Sequence, residues 1–166
     1  VVNGASRFGP SDKMLLKLDD LNDLRRSNFV RLYNNADGHI PYQAASEDYK
    51  GAVLAKFLGI IGDDGSRKNY NNIPLYRHAD VLLMLAEAKN HLDEDPSDEI
   101  NAVRARAYGE SFAGNEFTKG SKTENTNAIL DERLKEFVGE GKRWWDLVRA
   151  GDGIVFEEVA SLSATE

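Results

Sequence analysis

The chain has 166 residues, room for one domain with a real core, and its 21 basic residues are scattered among 28 acidic ones for a net charge of −7. That balance speaks against nucleic acid, because a phosphate-binding surface needs clustered Lys and Arg. With no cysteine, thiolate chemistry, cysteine-type zinc sites and disulfides are excluded, and no apolar run approaches the roughly 20 residues that a spanning helix needs.

The chain begins at Val1 with neither a charged n-region nor an apolar h-region. It therefore reads as lacking a secretory signal and as a processed product or fragment. A single domain is expected over 1–166, loop-rich over 1–72, helical over 73–151 and ending in a tail over 152–166. In the first third, Pro10 can open a helix, followed by the apolar cluster Met14, Leu15, Leu16 and Leu18. Asp19 to Arg26 reads as a short polar helix or turn. Phe29, Arg31 and Tyr33 alternate with Val30 and Leu32, a strand pattern, and Asn34-Asn35-Ala36-Asp37-Gly38 is turn chemistry. Val53 to Ile61 is a second strand, and together they predict a small antiparallel hairpin with a long loop.

From Pro74 the character changes. Pro74 fits the first turn of a helix, where its missing N–H costs nothing. Val81, Leu85, Ala88 and Leu92 mark one face, and Leu83 and Met84 widen the apolar sector, which predicts a helix buried on more than one side. Asp93-Glu94-Asp95-Pro96 breaks it. Ser97 or Asp98 caps a second helix with Ile100, Val103 and Ala107 on one face, ended by Gly109. Glu110 to Asn125 reads as a polar loop. A third helix is expected from about Thr126, with Ile129, Leu130, Leu134, Phe137 and Val138 as its apolar face. Gly139 and Gly141 bend it, and Trp144-Trp145 starts a fourth segment that stops at Gly151-Asp152-Gly153. The class is therefore mainly α. Helix-turn-helix followed by helix-kink-helix suggests α-hairpins of the tetratricopeptide kind, without that repeat's full consensus.

Few residues invite chemistry. Glu132, Glu136 and Glu140 recur every four residues, and a pair of carboxylates can serve a glycosidase as acid and base. Beside Arg133, Lys135 and Arg143, they read instead as ion-pair partners on a helix. Glu87 and His91 stand at i, i+4, with His78 and Asp80 upstream, but a metal site lacks its third and fourth ligands. Asp93, Asp95, Ser97 and Glu99 start like a calcium loop, yet Asp98 takes the glycine position and Arg104 the place of the bidentate glutamate. Phosphate-cradling glycine motifs and nucleophile elbows do not occur. No cofactor is expected. Trp144 and Trp145 could stack on sugar, but neighbours on a helix point about 100° apart. One is expected in the core near Leu147 or Val148, the other sealing the helix against a neighbour. Tyr33, Tyr42, Tyr49 and Tyr70, in Asn- and Asp-rich loops, are better placed for a polar ligand.

Three segments in series carry a resemblance. They are Ile73-Pro74-Leu75-Tyr76-Arg77-His78-Ala79-Asp80 with Val81 to Ala88; Ile100 to Ala107; and Ile129-Leu130-Asp131-Glu132-Arg133 with Glu136-Phe137, then Glu140-Gly141-Lys142-Arg143-Trp144-Trp145-Asp146-Leu147-Val148-Arg149. In order and separation they resemble the C-terminal part of the SusD/RagB family of outer-membrane nutrient-binding lipoproteins. The match is strong over 73–151 and weaker over about 20–58. Members are much longer, with a lipidated N-terminal cysteine, N-terminal helical repeats and a different C-terminal ending. The resemblance thus implies a C-terminal piece of a larger SusD-like protein, soluble itself and held to the membrane only through an anchor outside this sequence.

The resemblance further implies a non-catalytic, surface-exposed oligosaccharide-binding component of the outer membrane, partnered by a SusC-like TonB-dependent transporter. No residue carries over as a sugar contact. Asp80, Glu87, Glu132, Glu136, Arg143, Asp146 and Arg149 are expected to form a helix-to-helix network of charge-assisted hydrogen bonds, a structural set rather than a site. Arg143→Ala is then expected to destabilise the fold and leave sugar specificity alone. Two other readings stand beside this one: a helical protein–protein interaction scaffold without sugar binding, and a glycosidase using Glu132 and Glu136.

Overall fold

The computed structural model describes residues 9–33 and 49–158, which divide into two compact units, Val1–Asn72 and Ile73–Glu166. In the first unit, helix α1 (Asp12–Lys17) starts where the Ser11 side chain accepts the Met14 N–H, and it buries Met14 and Leu15. A 3-10 turn over Leu24–Asn28 is capped by Asp23, whose carboxylate also grips the buried Arg25 guanidinium at 2.8 Å. This local pairing is how a polar stretch comes to hold a buried arginine.

Strand β1 (Phe29–Tyr33) pairs antiparallel with β2 (Tyr49–Leu54) in the register Phe29 to Leu54 and Val30 to Val53, with an irregularity between Leu32 and Tyr33. The second strand thus begins earlier than expected and stops at Leu54. Residues 60 onward belong to a separate hairpin, in which β3 (Ile60–Ile61) pairs with β4 (Arg67–Lys68). The break falls at Gly59, whose φ of +70° turns the chain, and where a Cβ would lie 2.1 Å from the Lys68 carbonyl oxygen. Part of the expected loop, including Tyr42, lies outside the described residues.

The second unit is helical. Helix α2 (His78–His91) packs against α3 (Ser97–Tyr108) and α4 (Lys122–Glu136), and α4 in turn against α5 (Arg143–Ala150). Ala79, Leu83, Ala86, Ile100, Val103, Ile129 and Phe137 form the core, with Leu82 and Phe117 against it. Fully burying a side chain such as Leu83 contributes about 1.5–3 kcal/mol. The Ile100, Val103 and Ala107 face of α3 is buried as its periodicity predicts.

Four expectations are corrected. Helix α2 starts at His78, not at Pro74. Its buried face runs through Ala79, Leu83, Ala86 and Asn90, whereas Val81, Leu85, Ala88 and Leu92 are exposed. Helix α4 starts at Lys122 rather than near Thr126, because Ser121 and Glu124 form a reciprocal capping box. Asp152–Glu158, expected in a tail, forms a short helix α6 packed against α5.

The loop before α4 is pinned rather than loose. Asn101 exchanges two hydrogen bonds with the Phe117 backbone, at 2.7 and 2.9 Å, and Arg104 donates to the Asn115 carbonyl. At the far end, Asn90 and the buried Asn125 bond side chain to side chain at 2.9 Å, tying the end of α2 to the start of α4.

Candidate functional site

The second unit is organised around charge carried on facing helices. Arg133 of α4 is 4% exposed; its Nε donates to Asp146 of α5 at 2.8 Å and its Nη2 to Asp80 of α2 at 3.3 Å. One guanidinium thus joins three helices. Lys142 Nζ lies 2.8 Å from the other Asp80 oxygen and donates to the Leu75 carbonyl at 2.6 Å. Arg149 reaches Asp146 at 2.9 Å and Glu87 at 3.2 Å, so Glu87 joins the same cluster from α2. Arg133 Nη1 and Asp146 Oδ2 are buried with no hydrogen-bond partner among the described residues, a cost that the ion pairs around them have to offset.

A second cluster surrounds Phe137. Arg77, just before α2, bonds Glu136 at 2.6 Å and Glu140 at 2.9 Å, with its guanidinium 4.7 Å from the Phe137 ring centre. Arg133 lies 4.8 Å from the same ring. Burial pulls the Arg77 pKa down, but the hydrogen bonds it donates to Glu140 and Glu136 outweigh that and hold the group above the ordinary arginine value. Arg106 of α3 also binds Glu136, and Arg104 binds Glu132 at 2.9 Å. Glu132 and Glu136 therefore pair with cations from α3 and from the segment before α2, not merely along their own helix. Both are 2% exposed and locked to arginines, unlike a glycosidase acid and base open to a cleft.

Arg143 takes a different place from the one expected. It donates to the Leu130 carbonyl at 2.9 Å and to Glu158 of α6 at 3.0 Å, apart from Asp80 and Asp146. The cation at the centre is Arg133, which sequence reasoning placed only along its own helix. Its signal was available in principle, since Arg133 and Asp146 both fall on the inward side of their helices.

Trp144 and Trp145 correct the packing expectation. They are 49% and 64% exposed, and neither is core. Helix α5 turns Asp146 and Leu147 inward, so the ion pair to Arg133 fixes the helix phase and leaves the indoles outside. They share no platform: Trp145, without Trp144, lines a cavity of about 290 Å³ with Leu75, Tyr76, Met84 and the Asp80–Arg133–Lys142–Asp146 cluster. Glu87 and His91 line a smaller cavity of about 90 Å³ with Arg149 and Asn90, while His78 is exposed. Among the described residues no three His, Asp or Glu side chains converge to hold a metal. Of the loop tyrosines, Tyr33 and Tyr49 are backbone partners across β1 and β2, and Tyr70 is exposed.

This order of charged helices can be set beside known proteins. The sequence profile of the SusD family matches residues 26–155. The chain belongs to the SusD family. It is 34% identical over 104 residues to SusD-like protein P2 from Formosa agariphila, a match covering 59% of this chain and 20% of that protein. It is 36% identical over 80 residues to the starch-binding protein SusD from Bacteroides thetaiotaomicron, covering 48% and 13% of the two chains. In structure it is similar to a SusD superfamily protein from Bacteroides vulgatus, with a TM-score of 0.73 and 31% identity over 89% of this chain and 34% of the other. The mainly-α, SusD-like fold class follows from both comparisons. The chain spans about a fifth of the length of the first curated relatives it matches. No helix among the described residues is long and apolar enough to cross a membrane.

Proposed function

We propose that this chain is the C-terminal part of a non-catalytic glycan-binding component of a nutrient-uptake system at the outer-membrane surface. There it works with a SusC-like TonB-dependent transporter and is held by a lipid anchor outside this sequence. The match to the SusD family over residues 26–155 carries the reading, and a starch-binding relative supports oligosaccharide as the ligand class. In the second unit the buried Asp80, Glu132, Glu136 and Asp146 are paired with arginines and a lysine, which supports reading them as parts of a frame. In this reading the paired helices are a frame, and sugar is captured by loops and by segments of a longer polypeptide. Isothermal titration calorimetry of the encoded protein against pooled oligosaccharides tests it. Saturable heat with at least one pool, without hydrolysis products, is the expected result. A folded protein that binds no pool, or one whose hydrolysis activity disappears in Glu132→Gln, would replace this reading with the scaffold or the glycosidase respectively.

A further inference from the structure

The hairpin of β3 and β4 in the first unit is short, yet it is tied at both ends. At its turn the Gly62 N–H donates to the Ser66 carbonyl and the Gly65 N–H to the Gly62 carbonyl, both at 2.9 Å, and Lys68 pairs with Asp64. At its base Arg67 donates to the Leu58 carbonyl. There Gly59 passes so close to the facing chain that a Cβ would meet the Lys68 carbonyl and lie 3.1 Å from Asn69 Oδ1. Two-residue strands are marginal alone, so these ties fix the path of the chain that leaves the hairpin. That chain is Asn69-Tyr70-Asn71-Asn72, all four residues exposed and all within the first unit.

The chemistry of this stretch is unspent. Polar side chains in turns ordinarily bond the backbone two residues on, as Asp64 and Asp95 do here. Tyr70 is 74% exposed, and among the described residues neither its hydroxyl nor the amides of Asn71 and Asn72 enter a hydrogen bond. Each amide sets an acceptor beside a two-hydrogen donor, which matches neighbouring hydroxyls on a sugar ring. The face of a phenol ring is electron-rich and suits the weakly positive C–H face of a pyranose. Tyr76 is equally exposed, but Lys142 Nζ already lies 4.8 Å from its ring centre. Charge narrows the ligand class: Asp63 and Asp64 balance Arg67 and Lys68, so no net field draws an ionic group to this hairpin. A neutral ring bearing several hydroxyls fits what remains.

We infer that Tyr70, Asn71 and Asn72 form a subsite for one neutral pyranose ring of an oligosaccharide. The ring packs on the face of Tyr70, while the two amides and the phenol hydroxyl exchange hydrogen bonds with its hydroxyls. Binding residues concentrate on loops held by a rigid support, and the tied hairpin is that support. The inference rests on the glycan-binding reading and gives it a place in the chain.

Isothermal titration calorimetry of the encoded protein tests it, with a neutral pool of malto-, cello-, xylo- and manno-oligosaccharides and an acidic pool of oligogalacturonates. The variants are Tyr70→Ala, Tyr70→Phe, Asn71→Ala and Asn72→Ala, with circular dichroism and urea unfolding reporting on each fold. The wild-type protein is expected to bind the neutral pool. Tyr70→Ala should weaken that binding about tenfold and each asparagine variant about fivefold, whereas Tyr70→Phe, which keeps the ring, stays within about threefold. Unfolding midpoints should stay at the wild-type value, because these side chains are exposed. Unchanged neutral-pool binding by folded Tyr70→Ala would overturn the subsite and leave the glycan-binding reading standing. A wild-type protein that binds neither pool removes both, and heat from the acidic pool alone overturns the neutral assignment. Were Tyr70→Ala to unfold, the asparagine variants decide, and wild-type affinity in both overturns the inference.

Discussion

Asp64 shows how much one residue can do in a hairpin of two-residue strands. Its carboxylate accepts from Lys68 Nζ at 2.9 Å, from the Ser66 hydroxyl at 2.7 Å and from the Ser66 N–H at 3.0 Å. Those bonds, Lys68 first, lower its pKa from 3.8 to about 2. Because the folded value lies below the unfolded one, whatever stability the group lends is present above the ordinary carboxylate range and is lost as pH falls through about 2. A carboxyl-carbon NMR titration should place its midpoint near 2, moving up in Lys68→Met, whereas a midpoint near 3.8 would show the turn open in solution. The strand expected over Val53 to Ile61 stops just before the turn residues Gly62-Asp63-Asp64-Gly65. The hairpin they close was not legible, because two-residue strands leave no alternation to detect.

At the scale of elements, legibility followed the strength of local signals. Helix α3 was readable because a proline before it, acidic residues in its first turn and Gly109 after it all agree with its apolar period. Helix α4 carried an equally local signal, Ser121-Lys122-Thr123-Glu124, overlooked inside a run of polar residues. Ser121→Ala removes the hydroxyl that accepts the Glu124 N–H and the partner that holds Glu124 below its ordinary carboxylate value. It should cost about 1 kcal/mol, seen in urea unfolding, together with faster hydrogen exchange of the Lys122–Glu124 amides. No change in either would mean that Asn125, which binds the Gly120 N–H at 2.8 Å, holds the helix start alone. Helix α2 was misphased for a different reason. With apolar residues on both its inner and its outer face the sequence does not select one, and the choice is made by Asp80 and Asn90, whose partners come from α4 and from Lys142 just before α5.

At the scale of the whole molecule, the mainly-α SusD-like class was legible because three charged helical segments recur in a fixed order, and their charges converge. Which charge meets which was not legible, since Arg133 faces Asp80 and Asp146 across 53 and 13 residues of chain. The frame depends on that convergence: Arg133 compensates two acids that are each about 1% exposed, while Arg143 serves a carbonyl and a partly exposed Glu158. Urea unfolding of Arg133→Met beside Arg143→Met therefore tests the account most directly, with oligosaccharide binding measured on both. Arg133→Met should lose about 3–5 kcal/mol, as expected when buried charges are left uncompensated, and Arg143→Met no more than about 1.5 kcal/mol, with ligand preference unchanged wherever the protein is folded. An Arg133→Met protein of unaltered stability that no longer binds oligosaccharide would contradict it, and would move these charges from the frame to the binding site.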